Sequence, residues 1–167
     1  METSVKGIYA IGDVTGKIQL AHVASAQGLV AASNAAGFIR TMDYAVVPGC
    51  IYTSPEIATV GLTEAEAARR GHKVKVGKFP VGANGKSMIE GEREGIIKII
   101  TDSETGKILG AHIMAPRATD MISEICVAMK LEAPVKEIAD TIHPHPTVSE
   151  IIMEAAFDVE GLCIHKK

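Results

Sequence analysis

The chain has 167 residues, a formal net charge of −3, 22% charged residues and three cysteines. That length can bury a core without disulfides or a structural metal, and the near-neutral balance offers no basic stripe for nucleic acid. No apolar run can cross a bilayer and no basic leader with a cleavage site is visible, while three scattered cysteines fit a reducing cytoplasm.

Gly7-Ile8-Tyr9-Ala10-Ile11 reads as a short buried strand ending in a Gly12-Asp13 turn. Through Val14-Thr15-Gly16 it leads into an apolar helical run from about Gln19 to about Ile39. The pattern changes near Thr41 to Val47, which predicts a boundary between residues 1–46 and 47–167. Beyond it, residues 50–52 and 57–60 read as short strands. Thr63 to Arg70 reads as a helix opened by the Thr63-x-x-Glu66 capping box and ended by Gly71. Residues 74–80, 95–101 and 108–114 read as strands, the last two joined by a Glu104-Thr105-Gly106 turn. The glycines of Gly82-Ala83-Asn84-Gly85-Lys86 and Gly91 predict a mobile loop with no phosphate cradle. Residues 119–131 form an amphipathic pattern in which Cys126 joins Ile122, Ile125 and Met129 as core filling. A short helix over 134–140 and a last one over 147–157 close the chain. Strands grouped in the middle, with helices at either end, predict an α+β fold with an antiparallel sheet.

The chemistry concentrates in His143-Pro144-His145-Pro146-Thr147-Val148-Ser149-Glu150. Each proline fixes its own φ and pushes the preceding residue into extended geometry, so His145 should project from a stiff, non-helical stub. Glu150 lies within reach, and a carboxylate on an imidazole fixes its tautomer and raises its basicity as a general base. Thr147-x-x-Glu150 is also a capping box, in which the glutamate would serve only the helix start. The residues alone leave both readings open. His22, His72, His112 and His165 lie elsewhere in the sequence, His72 and His165 as expected solvent-facing residues, and no second clustered pair completes a zinc site. No metal is therefore expected.

The octapeptide resembles the C-terminal His-x-His-Pro-Thr-x-Ser-Glu signature of the flavoprotein disulfide reductases, most nearly their lipoamide branch. The resemblance implies that His145 is the acid/base and Glu150 its orienting partner. His143 is common in that branch and carries no assigned chemical role. The stretch Gly7 to Asp13 resembles the family's second flavin-binding sequence, which implies that Asp13 accepts hydrogen bonds from the ribityl hydroxyls of FAD. Gln19, Leu20, Ala21 and His22 are the flavin-side positions at the following helix, and Leu20-Ala21-His22 favours the lipoamide branch. Val47 to Gly61 resembles the opening of the family's dimerisation domain, and Ile108 to Ile113 its late strand. One departure is Ala115-Pro116-Arg117-Ala118-Thr119-Asp120, where the family usually carries glycine before the proline and glutamate last. We read it as branch variation in a surface-proximal turn.

The chain contains no G-x-G-x-x-G and no closely spaced cysteine pair. It is thus expected to be the C-terminal part of such an enzyme: residues 1–46 from the end of the FAD-binding domain, 47–167 the dimerisation domain. The resemblance implies a homodimer in the cytoplasm that passes electrons from dihydrolipoamide through a cysteine disulfide and FAD to NAD. The dihydrolipoamide would be carried by an acyltransferase or carrier protein of a 2-oxoacid dehydrogenase or glycine-cleavage system. The isolated chain is expected to be inactive and to retain no flavin. A glutathione-reductase-like enzyme and a standalone, non-catalytic dimerisation module are the alternatives.

Overall fold

A computed structural model describes residues 1–166. The chain divides into two compact units, Met1–Ala45 and Val46–Lys167.

In the first unit the expected strand does not form. Only an isolated bridge pairs Glu2 with Tyr9, and Ile8 and Ile11 are exposed. Strand backbone needs partners for its N–H and C=O groups, and here a local turn supplies them. Thr3 N–H donates to Ile8 O at 2.8 Å, and Gly7 N–H to the Glu2 carboxylate at 2.6 Å. A 3-10 turn over Gly12–Thr15 precedes helix α1, Ala21–Ala35. The helix stops short of Ile39 because Gly37 turns left-handed at φ 88°. The Asn34 side chain then holds the Arg40 backbone through both its N–H and its carbonyl. Gln27, fully buried, accepts from Gly12 N–H at 2.6 Å and donates to the Tyr44 hydroxyl at 2.9 Å.

The second unit is α+β, as its sequence pattern implies. Its strands are β1 (Gly49–Ile51), β2 (Glu56–Gly61), β3 (Val74–Pro80), β4 (Ile96–Asp102) and β5 (Ile108–Ala115). They form one antiparallel sheet in the order β1-β2-β5-β4-β3. The register aligns Ala58, Ile113, Ile97 and Phe79 across four strands, all nearly or fully buried. One residue along, Thr59, His112, Lys98 and Lys78 line up on the opposite face. That two-residue alternation is what makes one face core and the other polar.

Helices cover the core face. Helix α4 (Ala118–Lys130) packs on β2 and β5, α6 (Glu150–Asp158) packs on β3 and β4, and α5 (Val135–Asp140) packs on α6. Helix α2 (Glu64–Arg69) carries the full Thr63/Glu66 capping box. Gly77 lets α6 sit directly on β3, since a Cβ there would come within 2.0 Å of the Ala155 carbonyl oxygen.

One further expectation needs correction. The glycine-rich stretch is ordered: a 3-10 turn over Val81–Ala83 runs into helix α3, Gly85–Glu90. Asn84 makes the difference, because its side-chain oxygen accepts from Ser87 N–H at 2.9 Å and caps that helix. A strand before and a helix after are thus both present, although the helix is only six residues long. The segment after β5 is a turn at Pro116 and Arg117, with Arg117 and Asp120 exposed while Ala115, Pro116 and Ala118 anchor it in the core. Arg117 adopts φ 57° there, and Glu56 accepts from both the amide and the hydroxyl of Thr119 at the start of α4.

Candidate functional site

The stub between α5 and α6 carries the candidate site. His145 is followed by a cis Pro146 and lies outside any helix. Its Nδ1–H donates to Glu150 Oε1 at 2.9 Å, and its side chain is 76% exposed against 18% for Glu150. A carboxylate only accepts, so this contact fixes the proton on Nδ1 and leaves the Nε2 lone pair available to take a proton.

Glu150 reaches both neighbours that its sequence position allowed. Its second oxygen, Oε2, accepts from Thr147 N–H at 2.8 Å. The reciprocal half of the capping box is absent. Thr147 Oγ1 donates instead to Pro144 O at 2.7 Å, and Ser149, with no side-chain cap, is the N-cap of α6. This moves the helix start from Thr147 to Glu150. A tight turn spans the gap, with Ile151 N–H bonded to Val148 O and Ile152 N–H to Ser149 O.

Two residues that the sequence did not single out, Glu124 and Asn84, hold the stub, the first of them through His143. His143 is 5% exposed, with Nδ1–H donating to Thr141 O at 2.9 Å and Nε2–H donating to Glu124 Oε1 of α4 at 3.0 Å. Both ring nitrogens face acceptors, so the imidazolium is the state that satisfies both. The Glu124 hydrogen bond raises the His143 pKa above its ordinary value, against the opposing effect of burial. On the other side, the buried Asn84 donates through Nδ2 to Thr147 O at 3.1 Å. Glu124 lies 19 positions before His143 amid an ordinary amphipathic pattern, so nothing local marked it.

A second carboxylate on α6, Glu154, has a side chain 3% exposed. It accepts from Cys163 Sγ–H and Ile164 N–H, each at 2.9 Å, and from His165 Nδ1–H. His165 is therefore exposed yet paired, and His72 likewise donates to Asp102 at 3.2 Å.

In the first unit Asp13, Gln19, Ala21 and His22 are exposed, and Leu20 is half-buried. Helix α1 begins at Ala21 with Leu20 as an extended N-cap that makes no side-chain hydrogen bond. Among the described residues, no group of three or more His, Cys, Asp or Glu is placed to hold a metal ion. No described helix is long and apolar enough to cross a membrane. A cleft of about 660 Å³ lies between Ser54, Pro55, Glu90, Arg93, Pro116 and Arg117. The His145–Glu150 pair is not among the residues lining it; His145 projects from the loop before α6, and Glu150 opens that helix.

The sheet and its helical cover form an α+β domain that holds His145 outward with Glu150 behind it. Residues 47–156 match the family described as pyridine nucleotide-disulphide oxidoreductase, dimerisation domain, and residues 1–28 match pyridine nucleotide-disulphide oxidoreductase. The chain belongs to that family. It is 52% identical over 165 residues to a dihydrolipoyl dehydrogenase of Bacillus subtilis, covering 98% of this chain and 35% of the relative. The corresponding figures for a dihydrolipoyl dehydrogenase of Thermus scotoductus are 49% identity over 165 residues, with 99% and 36% covered. The crystal structure of LpdA from Mycobacterium tuberculosis superposes with a TM-score of 0.86 at 34% identity, over 92% of this chain and 34% of that one. The flavoprotein disulfide reductase RclA of Escherichia coli gives 0.83 at 26% identity, over 92% and 35%. The chain thus spans about a third of the length of the proteins it matches.

Proposed function

We propose that this chain supplies the acid/base pair and dimer surface of a homodimeric flavoprotein disulfide reductase that oxidises dihydrolipoamide with NAD as acceptor. Residues 1–46 are the end of its FAD-binding domain and 47–167 its dimerisation domain. The observation that carries the reading is the 2.9 Å bond from His145 Nδ1 to Glu150 Oε1 on an otherwise open imidazole. Nε2 of His145 takes the proton of a dihydrolipoamide thiol, and the resulting thiolate attacks a cysteine disulfide outside this chain. Glu150 keeps the ring in the accepting tautomer and stabilises the imidazolium. An imidazole 76% exposed suits a site completed by a second subunit.

Residues of the first unit fit a flavin. Asp13 offers a carboxylate that can accept from hydroxyls, and α1 presents an N-terminus with no side-chain cap beside Gln19, Leu20, Ala21 and His22. FAD, when bound, supplies the two-electron relay between dithiol and nicotinamide. Dihydrolipoamide would arrive on an acyltransferase or carrier protein of a 2-oxoacid dehydrogenase or glycine-cleavage system. A cytoplasmic setting suits three unpaired cysteines.

The test uses the full-length enzyme that contains this chain, assayed side by side with dihydrolipoamide and with glutathione disulfide. NAD reduction by dihydrolipoamide is expected. Turnover of glutathione disulfide alone would place the protein in the other branch. Turnover of neither would leave a non-catalytic dimerisation module.

A further inference from the structure

We propose that Glu124 is a positioning residue for His145, acting through a buried hydrogen bond to His143; the inference rests on the reading of His145 as the acid/base. The stub that carries His145 has few anchors of its own. His143 Nε2–H donates to Glu124 Oε1 at 3.0 Å, and its Nδ1–H donates back to Thr141 O at 2.9 Å. One ring therefore ties the stub to α4 and closes the turn that precedes it. Between His143 and His145 stands only Pro144, whose fixed φ passes the orientation of one residue to the next.

The geometry is that of a buttress rather than of a second acid/base. The His143 side chain is 5% exposed, whereas that of His145 is 76% exposed, so only the latter is open to a substrate. Neither ring nitrogen of His143 is left over for proton transfer, since each has an acceptor. Glu124 stands on α4, which is packed against β2 and β5, so the buttress rests on the sheet rather than on the loop. Asn84 and Thr147 brace the far side of the stub with a 3.1 Å bond. The catalytic imidazole is thereby held from two directions, and Glu150 fixes its rotation.

Misplacement of a reacting group by about 1 Å typically costs on the order of a hundredfold in rate. In the full-length flavoenzyme, Glu124→Ala should lower kcat with dihydrolipoamide by about ten- to a hundredfold while KM changes less than about twofold. Glu124→Gln, whose amide can still bond to the ring, should recover kcat to within about fivefold of wild type. His143→Ala should match Glu124→Ala, and the double variant should be no worse than either, because the two act as one unit. Flavin content and thermal midpoint are followed in every variant.

A Glu124→Ala enzyme with wild-type kcat would overturn the inference. So would losses that multiply in the double variant, or a Gln variant as poor as the Ala variant. The underlying reading fails separately, and visibly, if His145→Gln itself retains full turnover.

Discussion

Glu150 divides its carboxylate between two neighbours: Oε1 takes His145 Nδ1–H at 2.9 Å and Oε2 takes Thr147 N–H at 2.8 Å. The turn before α6 and the imidazole orientation are therefore held by one carboxylate. The helix start holds the carboxylate still, and the still carboxylate selects the tautomer.

Substitutions at Glu150 should separate these roles. Glu150→Gln keeps an oxygen for one neighbour and should retain partial turnover in the full-length enzyme. Glu150→Ala removes both bonds, should lower kcat by about a hundredfold, and should cost about 1 kcal/mol of stability through the lost bond to Thr147 N–H. Urea denaturation alongside steady-state kinetics measures both, and equal activities in the two variants would contradict the division.

His143 makes stability depend on pH in a defined direction. Its folded-state pKa is raised above the ordinary 6.5, chiefly by the Glu124 hydrogen bond. The stabilisation is then complete below about pH 6.5 and lost as pH rises through the higher folded value. Wild type should exceed Glu124→Gln by about 1 kcal/mol near pH 6, a modest figure because Glu124 is partly solvent-screened, and the gap should close in alkaline solution. A gap that widens with pH would be the wrong sign.

Gly77 should tolerate no side chain. A Cβ there falls 2.0 Å from Ala155 O and 2.8 Å from Val159 Cγ2, so α6 must move off β3. Gly77→Ala is expected to cost about 1–3 kcal/mol. It should also lower activity, because α6 carries Glu150. A denaturation midpoint equal to wild type would show that the helix yields freely.

Cys163 should be a sluggish thiol. Burial, reinforced by the Glu154 carboxylate, raises its pKa to about 11. At pH 8 only about one part in a thousand would be thiolate, so alkylation by iodoacetamide should lag far behind a free cysteine. Glu154→Ala removes the acceptor shared by Cys163, Ile164 and His165 and should speed alkylation several-fold. Unchanged kinetics would mean that the contact does not govern the thiol.

Much of this was legible in the residues. Alternation over Val74–Pro80, the Thr63/Glu66 box and the apolar spacing of α4 are local signals, and the elements appear within a residue or two of expectation. His145 and Glu150 could be paired because only five positions separate them. What escaped is non-local. Gly7 to Ile11 has strand-like composition, yet forms only a bridge, because strand formation depends on neighbours. Asn84 looked like one more loop polar residue among glycines until its two bonds, to Ser87 and Thr147, gave it a partner on either side. Glu124 reaches from α4 to His143, and Glu154 to residues just past the end of its own helix, contacts that no periodicity marks.

The most direct test is the rate of flavin reduction when the full-length enzyme is rapidly mixed with dihydrolipoamide, comparing wild type with His145→Gln at equal flavin content. Loss of the general base should slow that half-reaction by about 10²–10⁴-fold, with the flavin spectrum before mixing unchanged. A variant reduced as fast as wild type would show that His145 does not accept the thiol proton.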